Sequence, residues 1–131
     1  MEISVWGRLA RLLAATGPDT FIFKTAADSG VGVGNRDVIT DFTLQTNATA
    51  GTVADKIDLS QLDPNHTFTF ATNITATGHG EVSAHLDAAS NDVVVLVDAT
   101  GDGIVDMEIE LQNQHALTTA IANALKADII I

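Results

Sequence analysis

Cysteine is absent from the 131 residues, so neither a disulfide nor a thiolate metal site can form. Any metal must be held through oxygen or through the four histidines, His66, His79, His85 and His115. Basic residues are scarce: 6 Lys and Arg stand against 17 Asp and Glu, a formal net charge of -11. That balance excludes a nucleic-acid partner, whose phosphates need Lys and Arg, and disfavours anionic membrane surfaces. Aromatics are few, with one Trp, no Tyr and five Phe. Sugars are usually stacked on exposed aromatic rings, so a carbohydrate-binding surface is disfavoured as well. No apolar run approaches the roughly 20 residues of a membrane span, and no stable membrane insertion is expected. Arg8 and Arg11 interrupt the only apolar stretch near the N-terminus, and Glu2 sits where a secretory signal peptide carries positive charge.

Catalytic motifs are missing too. The four histidines show no His-Glu-x-x-His spacing, and no serine stands in a G-x-S-x-G elbow. The glycine-rich stretch Ala27–Asn35 lacks the G-K-[ST] ending of a phosphate loop. The acidic residues fall in turns and on outward strand faces, where hydration accounts for them. A non-catalytic protein is expected.

What is present reads as β structure. Thr20–Phe23, Asp37–Phe42, Lys56–Ser60, His66–Ala71 and Glu81–Asp87 are short strand candidates separated by turn residues. Asn47–Thr52 is small and polar, a loop. The longest β-branched run, Asp92–Val97, meets an acidic glycine-punctuated turn and then Met107–Leu111. In that last strand Met107, Ile109 and Leu111 are expected to face inward, with Glu108, Glu110 and Gln112 facing out. Thr118 or Thr119 can cap a helix through Lys126. Val5, Leu9, Leu12 and Leu13 recur at helical spacing, which predicts an amphipathic helix or cap over residues 1–16 ended by Gly17-Pro18. The fold class is therefore mainly β, with short helices near both termini and a main domain over residues 17–131.

One turn has the spacing of a calcium loop. Asp98, Thr100, Asp102 and Asp106 occupy its first, third, fifth and ninth positions. Gly103 stands at the sixth and the Ile104 carbonyl at the seventh. Alternate side chains on a tight turn converge, and hard calcium prefers such oxygens. The twelfth position is Ile109 rather than a bidentate Glu, so closure falls to water or another segment. The same Asp and Gly residues also suit a metal-free hairpin turn.

Gly17, Asp19 and Phe21 fit the second half of the nonapeptide G-G-x-G-x-D-x-U-x, whose leading glycines are replaced here by Ala14 and Ala15. The ordered blocks DTFIF, ADSGVGVGNRDVITDF, DKIDLSQLD and GEVSAHLDAASNDVVVLVDATGDGIVDMEIEL resemble the end of an RTX (repeats-in-toxin) protein. They are most similar to the C-terminal domain of serralysin-type secreted proteases. The resemblance runs from about Gly17 to the C-terminus. It implies a last, vestigial turn of parallel β-roll continuing into an antiparallel β-sandwich. It also implies secretion to the extracellular space by a type I exporter and folding driven by calcium. By the same resemblance Asp19, Asp37 and Asp41 become calcium ligands, and Asp55 and Asp58 are structural. Asp128, Ile129, Ile130 and Ile131 match a terminal secretion signal of one acidic and several apolar residues. The same isoleucines also suit a final core strand. The expected function is a non-catalytic, calcium-responsive C-terminal module of a secreted protein. The alternatives are an extracellular carbohydrate- or surface-binding β-module, or an accessory fragment of a secreted metalloprotease or epimerase.

Overall fold

The computed structural model describes residues 1–5, 10–13, 16–45 and 54–131. It is mainly β, with ten strands and one α-helix among those residues. Four strands form one sheet: β1 (Glu2–Ser4), β3 (Thr20–Ile22), β5 (Lys56–Asp58) and β10 (Ile129–Ile130), in that order and all parallel. Six form the other: β2 (Arg11–Leu12), β4 (Asp37–Ile39), β9 (Met107–Leu111), β8 (Val93–Asp98), β7 (Glu81–Leu86) and β6 (Thr69–Phe70). Successive strands β1 to β5 thus alternate between the sheets. After β5 the chain stays in the second sheet. There β7, β8 and β9 pair antiparallel, while β4 joins β9 in parallel. The helix α1 (Thr119–Asp128) then returns the chain to the first sheet as β10.

The strands form where β-branched and aromatic residues alternate. Phe21, Ile39, Ile57, Val93, Val95, Val97, Met107, Ile109 and Leu111 are fully buried and share one core drawn from both sheets. The inward set of β9 is as its alternation predicts. Thr118 caps α1, its hydroxyl accepting the Ile121 N–H, and the helix runs two residues past the expected end.

Among the described residues the expected N-terminal helix is not found: residues 2–4 and 11–12 are strands. Period-two alternation prevails over the helical spacing. Val5 is buried and Ile3 packs against the core, while Glu2 and Ser4 are exposed. Parallel bonding to β3, with the Thr20 N–H to the Met1 carbonyl and the Val5 N–H to the Ile22 carbonyl, satisfies the backbone. Tertiary pairing overrides weak helix propensity. Leu9 and the loop expected at Asn47–Thr52 lie outside the described residues.

Candidate functional site

The turn between β8 and β9 folds around Asp98, which is fully buried. Its Oδ1 accepts the N–H groups of Gly101 (2.7 Å) and Thr100 (3.1 Å), and its Oδ2 that of Gly103 (2.8 Å). Burial pushes the Asp98 carboxyl up. The N–H donors of Gly103, Gly101 and Thr100 outweigh it, and the group ends below the usual carboxylate range. Asp106 Oδ2 accepts the N–H groups of Ala99 (2.8 Å) and Thr100 (3.2 Å), and exposed Asp102 accepts that of Ile104 (2.9 Å). Gly101 and Gly103 have φ of +80° and +85°, and a Cβ on Gly101 would stand 2.5 Å from the His79 nitrogen. The glycines therefore serve the bend and its seat against Ala76–His79. Asp98 and Asp106 thus already gather the backbone amides of this loop. The Ile104 side chain is exposed.

A different arrangement surrounds Asp19, just before β3. Asp19 is 2% exposed; its Oδ1 lies 3.1 Å from the Met1 ammonium and its Oδ2 has no hydrogen-bond partner. Its backbone N–H donates to Asp55 Oδ1 at 2.8 Å, and Thr43 N–H donates to Asp55 Oδ2 at 2.8 Å. Burial raises the Asp55 carboxyl. The charges of Asp19 and Asp41 add to the rise, and the two N–H donors offset part of it. Pairing of Thr20 with Lys56 sets Asp19 beside Asp55, so β3–β5 register assembles an acidic group that no local motif announces. Asp37 goes elsewhere: it lies on β4 in the other sheet and accepts the Ala10 N–H at 2.7 Å. Asp58 closes a turn by accepting the N–H and hydroxyl of Ser60. Among the described residues no three or more His, Cys, Asp or Glu side chains are grouped as a metal site.

Glu108 and Glu110 do point away from the core, yet they are not solvated as expected: both are buried, beneath the glycine-rich segment. Arg36, 2% exposed, donates from Nε to Glu110 (2.7 Å), from Nη1 to Glu108 (3.0 Å) and from Nη2 to Asp87 (2.6 Å). Gly32 N–H also donates to Glu108, and Gly30 accepts the Glu108 N–H. The Arg36 guanidinium holds the Asp87 carboxyl down at about 2. This buried cation with three carboxylates escaped the sequence reading, because its partners lie 51 to 74 residues away. The glycine-rich stretch serves to lay Arg36 across β9.

The C-terminal residues are built into the first sheet. Asp128 is fully buried; its Oδ1 lies 2.9 Å from Lys56 Nζ, and its Oδ2 accepts the Gln45 N–H at 2.8 Å. Ile129 and Ile130 pair in parallel with Ile57 and Asp58, and the Leu59 N–H donates to the Ile130 carbonyl at 2.8 Å. An apolar cavity lies between Phe70, Val82 and Ala84 on one side and Ala122, Leu125 and Ile129 on the other. Of the histidines, His115 stands 2.7 Å from Asp92, and His66 occupies a turn with φ of +53°.

No curated protein matches the chain. A family does: the Peptidase M10 serralysin C-terminal family matches residues 1–122. The match includes β1 and β2, which the sequence resemblance had left aside. The alternating parallel strands, the antiparallel closure and this match together place the chain in the serralysin C-terminal family.

Proposed function

We propose that the chain is the non-catalytic C-terminal module of a secreted RTX-type protein. In this reading it is the end of a parallel β-roll closed by an antiparallel sheet. Its folding responds to calcium, and its last four residues are read by a type I exporter. The family suggests a module of secreted proteins, and its domains generally bind calcium. Among the described residues no helix is long and apolar enough to cross a membrane. The observation that carries the reading is topological. Strands β1 to β5 alternate between two sheets, and β7 to β9 then fold back antiparallel beside β4. Such a closure ends a stack of parallel turns and leaves no room for another turn on that side.

Calcium fits the group around Asp19 better than the Asp98 loop. Asp19 Oδ2 is buried and lacks a hydrogen-bond partner, and Asp55 and Asp41 add negative charge close by. A hard cation would add counter-charge beyond the Met1 ammonium that stands 3.1 Å from Asp19 Oδ1, and binding only the native state stabilises it by mass action. The Asp98 oxygens already hold backbone donors. Thermal melting with calcium and with chelator tests this. Calcium should raise the midpoint of the wild type and not that of Asp19→Asn; equal midpoints with and without calcium in the wild type would remove the calcium half. Deleting Asp128–Ile131 should abolish export through a type I system, and undiminished export would remove the other half.

A further inference from the structure

We infer that residues Thr118–Ile131 form a latch that undocks as a unit, taking β10 off the edge of the first sheet while β1 to β9 stay folded, and that the docked latch hides the terminal signal. The inference rests on the export reading for the meaning of the hidden end, but not for the motion itself. In the docked state Asp128 is fully buried and Ile129 is 6% exposed. An exporter that recognises an acidic residue followed by isoleucines meets neither the carboxylate nor the first isoleucine of the folded form.

Four features make the unit separable. Its last strand is an edge strand of two residues, joined to β5 on one side alone. Among the described residues its one ion pair is Lys56–Asp128; Lys56 also donates to the Ala127 carbonyl, and the Gln45 N–H donates to the other Asp128 oxygen. The apolar cavity lies along the inner face of α1, between Leu125 and Val82, so part of that face lacks the close packing that ties the other strands together. The segment before the helix, Gln112–Leu117, has no regular structure after the turn at Gln112–Asn113, and Asn113, His115 and Ala116 are exposed there. Gln114 is anchored there, buried and bonded to the Val93 N–H and the Phe42 carbonyl, so the hinge falls at the exposed His115 and Ala116. The family match stops at residue 122, inside α1, and so includes β1 to β9 but not β10. The helix does bury Ala124 and Leu125 in the shared core, so it is the short edge strand, and not a lack of burial, that puts the unit at the low-stability end of the fold.

Lys56 is the positioning residue of the latch. It neutralises a carboxylate that is fully buried at the end of α1, and without it that charge keeps only the Gln45 N–H. Undocking rehydrates that charge. The docked population therefore depends on Lys56, whereas the packing of β7, β8 and β9 does not.

Amide hydrogen exchange on the purified full chain tests the latch. The Leu59 N–H, bonded to Ile130, and the N–H groups of Leu125 and Asp128 report on the latch; Val95 on β8 reports on the body. In the wild type the latch amides should exchange faster than Val95, and Lys56→Met should speed them by a further factor on the order of tenfold while leaving Val95 unchanged. Because the chain has no cysteine, a pair at the register partners Asp58→Cys and Ile130→Cys gives a clean staple. Oxidised, it should slow the latch amides to the rate of Val95; reduced, it should release them. If Lys56→Met does not fold, the staple alone decides. Latch and Val95 amides exchanging at one rate in the wild type, or a staple without effect, would overturn the inference. Loss of the export reading is a separate result: unchanged secretion after deletion of Asp128–Ile131 leaves the latch standing and removes only its purpose.

Discussion

Replacing Arg36 by Met should be among the most damaging single changes in the molecule. The guanidinium is 2% exposed and donates to three carboxylates on two different segments. Methionine fills much of the same space but leaves Glu108 and Glu110 buried and uncompensated. Breaking a buried ion pair from one side costs about 3–5 kcal/mol. With a typical urea slope of about 2 kcal/mol/M, the unfolding midpoint should fall by roughly 1.5–2.5 M. The pH dependence gives an independent check. Asp87 is held at about 2 by Arg36, so its contribution to stability is present above the ordinary carboxylate range and is lost as pH falls from about 4 toward 2. In Arg36→Met that portion of the acid-side slope should shrink, because only the Ser90 and Ala89 hydrogen bonds then hold Asp87 down. Adding Glu108→Gln and Glu110→Gln to Arg36→Met should restore part of the loss, and a double-mutant cycle measures the coupling. An Arg36→Met protein within about 1 kcal/mol of the wild type, with the acid slope intact, would refute the reasoning.

Gly101→Ala should destabilise by more than about 1–2 kcal/mol in urea, since φ is +80° and the new Cβ would stand 2.5 Å from the His79 nitrogen. Asp63 and Asp98 both lie below the usual carboxylate range, each pushed up by burial and pulled further down by backbone donors. Both contributions are present above the unfolded pKa of about 3.9 and are lost as pH falls through the folded values, so Asp98→Asn should show a shallower acid limb in circular dichroism than the wild type. Thr118→Ala should cost about 1 kcal/mol of helix stability by removing the cap on Ile121, and amide exchange in α1 should rise with it.

What could be seen in advance was local. The alternation Met107-Glu108-Ile109-Glu110-Leu111 marks an inward face whatever the strand pairs with, and Thr118 as a cap depends only on the residues next to it. What could not be seen was set by partners far along the chain. The face opposite Met107 looks solvated in sequence because nothing nearby says that Arg36 will cover it. Asp19 and Asp55 lie 36 residues apart and meet only through the β3–β5 register. At the N-terminus two periodicities compete over the same few residues. Ile3 and Val5 fit a strand and Val5, Leu9 and Leu12 fit a helix, and an open edge of β3 decides between them.

The acidic excess itself changes meaning once the carboxylates are placed. Eleven of the seventeen acidic residues are buried: Asp19, Asp28, Asp37, Asp55, Asp63, Asp92, Asp98, Asp128, Glu81, Glu108 and Glu110. Hydration at the surface therefore does not account for most of them, and six basic residues are too few to pair them all. Backbone amides do much of that work. Asp28 accepts the N–H groups of Lys24 and Thr25, Asp63 those of Thr67 and Phe68, and Glu81 that of Thr75. Each is a loop clamp: a buried carboxylate gathers N–H donors that have no strand or helix partner. A fold made of short strands and many turns leaves such donors in quantity. Aspartate, with its short side chain, reaches them two to five residues away, as Asp63 and Asp98 do. This accounts for acidic turns without a metal in each of them. At Asp19 the clamp is incomplete: Oδ2 accepts no hydrogen bond, and the partner of Oδ1 is the Met1 ammonium at 3.1 Å rather than a backbone amide.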